Sequence, residues 1–261
     1  MAGFALALPE GLSYCIPTSD QFYLRIIAST KSLDSVFRFQ PEHRIILNNI
    51  IIIYVDQVNA CLETRYNANM HPAIFLDRDG VIVENRANYI RNWADVAFYP
   101  AALTALARIR SSLYKIIIIT NQSVVGRNII SKQAANAINQ QIIETITAAG
   151  GRIEGIYMCP HAPQDECECR KPKPGLFLQA AKDLDIDLQS SVMIGDAWSD
   201  LLAGQNAGIR RLCLVLTGRG AEQAAQLPPS ELKAYTQFAD LSAALMVLVP
   251  PTHPDLPHSP P

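Results

Sequence analysis

Four carboxylates in two short motifs could act together on one substrate. Asp77 and Asp79 lie two apart in AIFLDRDGV, and side chains two apart on an extended segment face the same way. Asp196 and Asp200 follow later in the chain, in GDAWSD. Carboxylates that meet at one point repel each other strongly unless a cation lies between them. Oxygen ligands select a hard cation, and Mg²⁺ is the one that also retains water and phosphate as ligands.

Phosphoryl transfer is the reaction that such a site would perform. It requires an in-line nucleophile, cationic groups around the phosphoryl oxygens and a proton for the leaving alcohol. A carboxylate nucleophile forms an acyl-phosphate, and Asp77 fits that role. Asp79 would protonate the leaving oxygen and then deprotonate the water that hydrolyses the intermediate. Thr120 in TNQS and Lys171 in CRKPKPG would hold the transferring phosphoryl group.

Each motif by itself has a simpler structural explanation. A lone D-x-D is usually a solvated turn, TNQS could be the polar end of a strand, and GDAWSD could cap a helix through Asp196 or Ser199. A Lys-Pro pair is most often part of a surface loop. The motifs nevertheless follow successive predicted strands in order, and this conjunction favours one shared site.

The elements that would position these residues alternate along the chain. From Ala73 onward, short β-branched runs alternate with longer helical patterns, which is typical of βαβ units and a parallel sheet. We predict strands at Ala73–Leu76, Lys115–Thr120, Gly155–Met158, Ser191–Ile194 and Leu212–Leu216, and helices at Ala101–Leu113, Ser131–Ala149, Gly175–Leu184, Ser199–Ala207 and Phe238–Val249. The predicted fold class is therefore α/β, a Rossmann-like parallel sheet with helices on both faces. In such a sheet ligands bind beyond the carboxyl ends of the strands, where three strand ends carry the motifs.

A second constellation has the spacing of a metal site. Three cysteines and one histidine form C-x-H-x5-C-x-C, namely Cys159, His161, Cys167 and Cys169. Three thiolates and an imidazole are a closed tetrahedral set, typical of structural Zn²⁺. The alternative is a local disulfide or free thiols, but thiols stay reduced in the cytosol and a disulfide gives the histidine no role. A zinc-binding loop insertion would deliver Arg170 and Lys171 rigidly to the site.

Bulk composition excludes several classes of protein. With 49% hydrophobic residues, 18% charged residues and a formal net charge of -2, the chain has the balance of an ordinary soluble globular protein. No basic stripe indicates nucleic-acid binding. The apolar run Ile45–Val55 is too short and too interrupted to cross a bilayer, and the N-terminus lacks the positive n-region of a signal peptide. We expect a cytoplasmic monomer with no membrane or nucleic-acid partner.

The motifs resemble those of the haloacid dehalogenase phosphatase superfamily over about Ala73 to Gly220. DRDGV, TNQS, the lysine of RKPKP and GDAWSD match its four motifs, with Val81 where the superfamily usually has threonine. The resemblance implies the roles given above for Asp77, Asp79, Thr120 and Lys171. It also implies that Mg²⁺ is held by Asp77, the main-chain carbonyl of Asp79 and Asp196, with Asp200 behind these ligands. No large cap domain is visible between the motifs.

The zinc loop narrows the resemblance further. It is similar to that of the D-glycero-D-manno-heptose 1,7-bisphosphate 7-phosphatases and, nearly as much, to that of the histidinol-phosphate phosphatases. TNQSVVGRN favours the first group, because the second typically has TNQD. The resemblance implies Mg²⁺-dependent hydrolysis of the 7-phosphate in nucleotide-heptose biosynthesis. It also implies substrate contacts from Asn85, Asn88, Tyr89, Asn121, Gln122, Ser123 and Arg170, although the loop NRANY departs in length from the family pattern.

Other functions stay open at this point. A histidinol-phosphate phosphatase or a broad phosphatase of small phosphorylated metabolites would use the same motifs. A catalytically silent, zinc-bearing binding module is a third possibility, against which the intact Asp77, Asp79, Lys171 and Asp196 argue.

The start of the chain lacks the alternating pattern. Residues 1–69 show no sustained period and no convincing helix caps. They could be an extension that packs a strand on the main domain, or Met70 could be the true start, because MHPAIFLDRDG places the first core strand three residues after a methionine. We predict the second arrangement. Residues 70–249 would then form the phosphatase domain, and residues 250–261 a proline-rich disordered tail.

Overall fold

The computed structural model describes residues 70–250. The predictions made for residues 1–69, including the start at Met70 and the apolar run Ile45–Val55, lie outside the described residues. The same holds for the predicted tail after Pro250. These stay predictions.

Six parallel strands form the sheet of this region, in the spatial order β3-β2-β1-β4-β5-β6. The strands are β1 (Ala73–Leu76), β2 (Lys115–Asn121), β3 (Gly155–Cys159), β4 (Val192–Gly195), β5 (Arg211–Val215) and β6 (Thr236–Phe238). Every residue of β1 is buried, with β2 paired on one side and β4 on the other. The strand order reverses between β1 and β4, and ligands of open α/β sheets bind at such a reversal.

Helices cover both faces of the sheet, as predicted. They are α1 (Pro100–Arg108), α2 (Ser123–Gly126), α3 (Lys132–Ala148), α4 (Gly175–Asp183), α5 (Trp198–Asn206), α6 (Gly220–Ala224) and α7 (Leu241–Leu248). Ile74 and Leu76 of β1 pack in one core cluster with α1, α3 and α7, whereas Phe75 faces the opposite way and packs with α4 and α5. Each of these helices is too short or too polar to cross a membrane. Within residues 70–250 no inserted cap domain interrupts the fold.

The first predicted helix is wrong at its C-terminal end, because α1 stops at Arg108 rather than at Leu113. Ser111 and Ser112 follow, and serine side chains compete with helical hydrogen bonding. Arg152, just after α3, holds the loop that follows the helix. Its Nη2 donates to the main-chain carbonyls of Ser112 at 2.7 Å and of Tyr114 at 2.6 Å.

The last predicted helix also begins later than expected. Phe238 is the final residue of β6, a three-residue edge strand that pairs with β5. The helix α7 starts at Leu241, after Asp240, whose Oδ1 accepts a hydrogen bond from the main-chain N–H of Ala243 at 2.8 Å. The other predicted strands and helices agree with the structure to within one residue at each end, and Ser131 is the N-cap of α3.

We predict that the core on the α4 side depends on Phe177. Its ring lies 5.0 Å from the ring of Phe75, centroid to centroid, and both side chains are fully buried. Phe177→Ala should lower the free energy of unfolding by about 3–5 kcal/mol through lost transfer energy and a residual cavity.

The adjacent Leu178 offers a matched control, because it lies on the same helix but is 50% exposed. Leu178→Ala should change the free energy of unfolding by less than about 1 kcal/mol. Urea unfolding of both variants checks this. Equal losses of unfolding free energy in the two variants would contradict the buried position of Phe177.

Candidate active site

The polar motifs meet at the carboxyl edge of the sheet, around the end of β1. Asp77 comes directly after β1, and its main-chain N–H donates to the carbonyl of Ile194 in β4 at 3.0 Å. A cavity of about 580 Å³ opens there. The residues that line it are Asp77, Asp79, Asn85, Arg86, Ala87, Tyr89, Ile90, Asn121, Gln122, Ser123, Val124, Arg127, Arg170, Lys171, Ser199, Asp200 and Arg219.

A buried lysine connects two of the predicted carboxylates. Lys171 Nζ lies 2.6 Å from Asp77 Oδ1 and 2.7 Å from Asp200 Oδ1, and it donates to the carbonyl of Ile119 at 2.8 Å. Only 2% of the Lys171 side chain is exposed. Burial opposes its charge, but the carboxylates of Asp200 and Asp77 outweigh that effect and raise the pKa of Lys171 above its ordinary value. The ammonium therefore stays charged between its two partners.

Burial acts in the opposite direction on the carboxylates. It raises the pKa of Asp77 to about 6, although Lys171 pulls that pKa down. Burial likewise raises the pKa of Asp200. The pKa of Asp196 is raised mainly by burial and, to a smaller extent, by repulsion from Asp77. The site thus holds more buried negative charge than Lys171 alone neutralises.

Asp196 is fully buried and is held by donors from two segments. Its Oδ2 accepts from Asn85 Nδ2 and from the main-chain N–H of Arg219, both at 2.8 Å. Arg219 Nη2 lies 3.3 Å from Oδ1. Gly80 and Gly218, both with positive φ, press their backbones against this carboxylate, and a Cβ on either would lie within 2.3 Å of Oδ2.

These acidic residues fit a hard divalent cation. Asp77, Asp196 and Asp200 each offer an oxygen, and the three oxygens lie within 4.8 Å of one another. An oxygen-only donor set with surplus negative charge is what Mg²⁺ requires, and an open cavity leaves room for water and phosphate as further ligands.

Asp79 is fixed by two neighbours. Arg78 Nη2 donates to its Oδ2 at 2.9 Å, and Gln122 Nε2 donates to the same oxygen at 2.8 Å. Gln122 Nε2 also lies 2.8 Å from Thr120 Oγ1. Gln122, a predicted substrate contact, is only 5% exposed. It connects Asp79, the predicted acid/base, to Thr120, which is predicted to bind the phosphoryl group.

Asn121, a second predicted substrate contact, holds the backbone of Lys171. Its Oδ1 accepts from the main-chain N–H of Lys171 at 3.1 Å, and its Nδ2 donates to the carbonyl of the same residue at 3.2 Å. Arg170 is oriented separately, because its Nη1 donates to the carbonyl of His161 at 3.2 Å. The end of β2 and the predicted zinc loop therefore fix adjacent residues of one segment.

The four predicted zinc ligands lie together, Cys159 as the last residue of β3 and the other three in the loop that follows. Four of the distances between their ligand atoms fall between 3.2 and 3.7 Å, joining Cys159 to His161, Cys159 to Cys167, His161 to Cys169 and Cys167 to Cys169. A disulfide requires about 2.05 Å, so these thiols are free. Sulfur atoms around a tetrahedral zinc, each about 2.3 Å from the metal, lie about 3.8 Å apart. The set fits a closed zinc site.

The remaining predicted contacts divide into two groups. Tyr89 and Ser123 line the cavity, and Tyr89 holds a positive φ of 64° that is uncommon for a bulky residue. Asn85 lines it too, while donating to Asp196. Asn88 is exposed and lies outside the lining, so the structure does not bring it to the site.

Sequence reasoning missed several cationic residues of the cavity. Arg86 and Arg127 lie inside segments already quoted, NRANY and TNQSVVGRN, so their charge was an available signal. Arg219 follows β5 at the same carboxyl edge as the other strand ends. The rule that ligands bind beyond the carboxyl ends of the strands therefore indicates it as well. Ser199, a possible helix cap from the sequence, lies inside α5 instead and lines the cavity.

Comparisons with known sequences agree with this arrangement. A family model described as HAD-hydrolase-like matches residues 168–244, which contain Lys171, Asp196 and Asp200. The D-glycero-beta-D-manno-heptose-1,7-bisphosphate 7-phosphatase of Helicobacter pylori strain 26695 is 40% identical over 149 residues, which are 57% of this chain and 86% of that protein. The Vibrio cholerae protein of the same name is 37% identical over 155 residues, 57% of this chain and 83% of that protein.

Solved structures agree as well. The crystal structure of D,D-heptose 1,7-bisphosphate phosphatase from B. bronchiseptica, complexed with magnesium and phosphate, has a TM-score of 0.64 at 33% identity, covering 68% of this chain and 97% of that one. The phosphatase of the same name from Burkholderia thailandensis has a TM-score of 0.53 at 28% identity, covering 69% and 99%. The chain is therefore a phosphoric monoester hydrolase and belongs to the HAD-like phosphatase family that includes these heptose-bisphosphate phosphatases.

Proposed function

We propose that this phosphatase removes the 7-phosphate of D-glycero-D-manno-heptose 1,7-bisphosphate, with Mg²⁺ and through an aspartyl-phosphate, in nucleotide-heptose biosynthesis. One observation carries the mechanism, which is the buried Lys171 ammonium held between Asp77 and Asp200, with Asp196 beside them. The names of the relatives support the substrate. The cytoplasmic location and the monomeric state stay predictions from the sequence.

The reaction follows from the chemistry of these groups. A carboxylate oxygen of Asp77 attacks phosphorus, a P–O bond forms, and the bond from phosphorus to the sugar oxygen breaks as Asp79 gives that oxygen a proton. A water then attacks the aspartyl-phosphate and returns a proton to Asp79, which releases inorganic phosphate and restores Asp77. Lys171 and Thr120 hold the phosphoryl oxygens throughout. Bound Mg²⁺, on Asp77, Asp196 and the carbonyl of Asp79, would neutralise the charge of those oxygens.

The cavity suits a substrate with a second phosphate. Arg127 and Arg86 are exposed in its lining, and Arg170 lies there half-buried, next to Lys171. Arginine binds phosphate through two parallel hydrogen bonds, so these side chains would recognise the phosphate that is not cleaved. We assign the sugar hydroxyls to Asn85, Tyr89 and Ser123. Asn121 and Gln122 act through Lys171 and Asp79, whose positions they fix.

We also propose that Zn²⁺ occupies the cluster of Cys159, His161, Cys167 and Cys169. Protein atoms fill all four positions, so this metal would fix the loop rather than activate water. The loop ends next to Arg170 and Lys171, and it also contacts α2, where the main-chain N–H of Gly126 donates to the carbonyl of Pro160 at 2.8 Å. Zinc would therefore stabilise two walls of the cavity at once.

A phosphate-release panel tests the substrate. With Mg²⁺ present, both anomers of the heptose bisphosphate, histidinol phosphate and fructose bisphosphate are compared at matched concentrations. We expect kcat/KM for one heptose anomer to exceed that for histidinol phosphate by at least about tenfold, because an unfilled arginine subsite loses a charged hydrogen bond of about 1.5–3 kcal/mol. All release should cease after chelation and return with Mg²⁺. Faster turnover of histidinol phosphate would reject the heptose assignment.

The nucleophile is tested by Asp77→Asn. An amide cannot form the acyl-phosphate, so kcat should fall by more than about 10³-fold. Wild-type protein quenched in acid during turnover should carry a phosphoryl adduct on the peptide that contains Asp77, and the variant should carry none.

Asp185→Asn is the matched control. Asp185 lies beside the amino end of β1, with a φ of 50° that asparagine tolerates well. The Asp185→Asn variant should keep wild-type turnover. Turnover by Asp77→Asn close to that of this control would reject the mechanism.

The zinc proposal is tested by metal content. Purified protein should hold about one zinc per chain, and Cys167→Ser should lose it together with thermal stability, because a structural site contributes its binding energy to folding. Cys213→Ser is the control, since Cys213 lies buried in β5, outside the cluster. It should lose some stability but keep its zinc. Full zinc content in Cys167→Ser would reject the assignment.

A further inference from the structure

Arg78, between the two aspartates of the first motif, has a place in the core that the proposed reaction leaves unexplained. Arg78 is only 1% exposed, and its side chain is among the largest that are fully buried. A buried guanidinium is costly unless its charge and its donors find partners. The identity of those partners indicates its role.

Two edges of the guanidinium are occupied by different residues. One edge meets Asp79, with Nε donating to Oδ1 at 3.1 Å and Nη2 donating to Oδ2 at 2.9 Å, which is a bidentate pair. On the other side, Nη1 donates to Asn139 Oδ1 at 2.7 Å. Asn139 is 2% exposed on α3, and its Nδ2 lies 3.5 Å from Met158 Sδ of β3.

The local backbone makes this contact between adjacent residues possible. Immediately after Asp79 the chain turns at Gly80, and the main-chain N–H groups of Ile82 and Val83 both donate to the carbonyl of Arg78, at 3.0 and 3.1 Å. Arg78 is thereby anchored at its backbone by the turn and at its far end by α3. Asp79, by contrast, keeps 26% of its side chain exposed and lines the cavity.

We infer that Arg78 and Asn139 are positioning residues for the proton transfer at Asp79. The inference rests on the proposed acid/base role of Asp79 and deepens it. Arg78 and Gln122 hold the two carboxylate oxygens in one orientation, and Asn139 holds Arg78. A carboxyl group that must reach the leaving oxygen within hydrogen-bond distance loses efficiency when it rotates away.

Leaving-group dependence separates this role from a structural one. A sugar alkoxide needs a proton as it leaves, whereas an aryl phosphate with a good leaving group, such as 4-nitrophenyl phosphate, needs little help. In the full-length protein with Mg²⁺, Arg78→Met should lower kcat/KM for the heptose bisphosphate about 100-fold, but for 4-nitrophenyl phosphate less than about fivefold. Arg78→Lys should recover part of the loss, and Asn139→Ala should lose about tenfold with the same selectivity.

Two further variants complete the experiment. Asp79→Asn sets the reference for complete loss of the acid and should show the same selectivity more strongly. Arg152→Met removes a half-buried arginine that donates to carbonyls elsewhere in the fold, so it should lower the melting temperature without changing the ratio of the two kcat/KM values.

The outcomes are distinct. Equal losses on both substrates in Arg78→Met, with unequal losses in Asp79→Asn, would overturn the positioning role and leave the proposed function intact. No selectivity in Asp79→Asn would reject the role of Asp79 and the inference with it. If Arg78→Met does not fold, Asn139→Ala decides by the same ratio of kcat/KM values. Equal losses on the two substrates in Asn139→Ala would then overturn the inference.

Discussion

The ammonium of Lys171 lies between the carboxylates of Asp77 and Asp200, where almost no water reaches it. Each of these three charges would be costly to bury alone, and removal of one partner from such a group typically costs about 3–5 kcal/mol. The arrangement therefore constrains three parts of the chain at once: the end of β1, the start of α5 and the segment that carries the lysine. The position of every other group in the site can be described relative to this contact.

The lysine is the member of the group that the sheet itself does not supply. Asp77 continues β1, and Asp200 lies in the first turn of α5 directly after β4, so both are placed by ordinary strand ends. Lys171 comes from the loop after β3 and must reach across β2. The amide of Asn121 fixes its backbone by two hydrogen bonds, and the cluster of three cysteines and one histidine ends two residues earlier, at Cys169. The proposed zinc would cross-link that loop and so reduce the entropy lost when the lysine is ordered.

The sequence was sufficient for β1 to β5, the five longer helices and the charged centre, because these follow from local patterns, but not for the three-residue β6 or the short α2 and α6. Apolar runs of β-branched residues indicated the strands, and the rule that ligands bind at their carboxyl ends brought Asp77, Thr120 and Asp196 together. The roles of the amides did not follow. Asparagine and glutamine contact either substrate or protein with the same chemistry, and only the tertiary arrangement places Gln122 against Asp79. The end of α1 did not follow for a similar reason, since Arg152, a residue distant in sequence, holds the loop after it through the carbonyls of Ser112 and Tyr114.

The charged groups of the site differ in how deeply they are buried. Asp196 is fully buried and Lys171 nearly so, whereas Arg86 and Arg127 lie on the surface. A buried charge is coupled strongly to its partners because little water screens it, while an exposed one is coupled weakly. If these arginines bind substrate as proposed, their substitution would therefore alter which phosphate ester is held without disturbing the contacts of Lys171. No cap domain is inserted over residues 70–250, so under the proposed function this gradient of burial would allow short loops to set specificity around a fixed reacting centre.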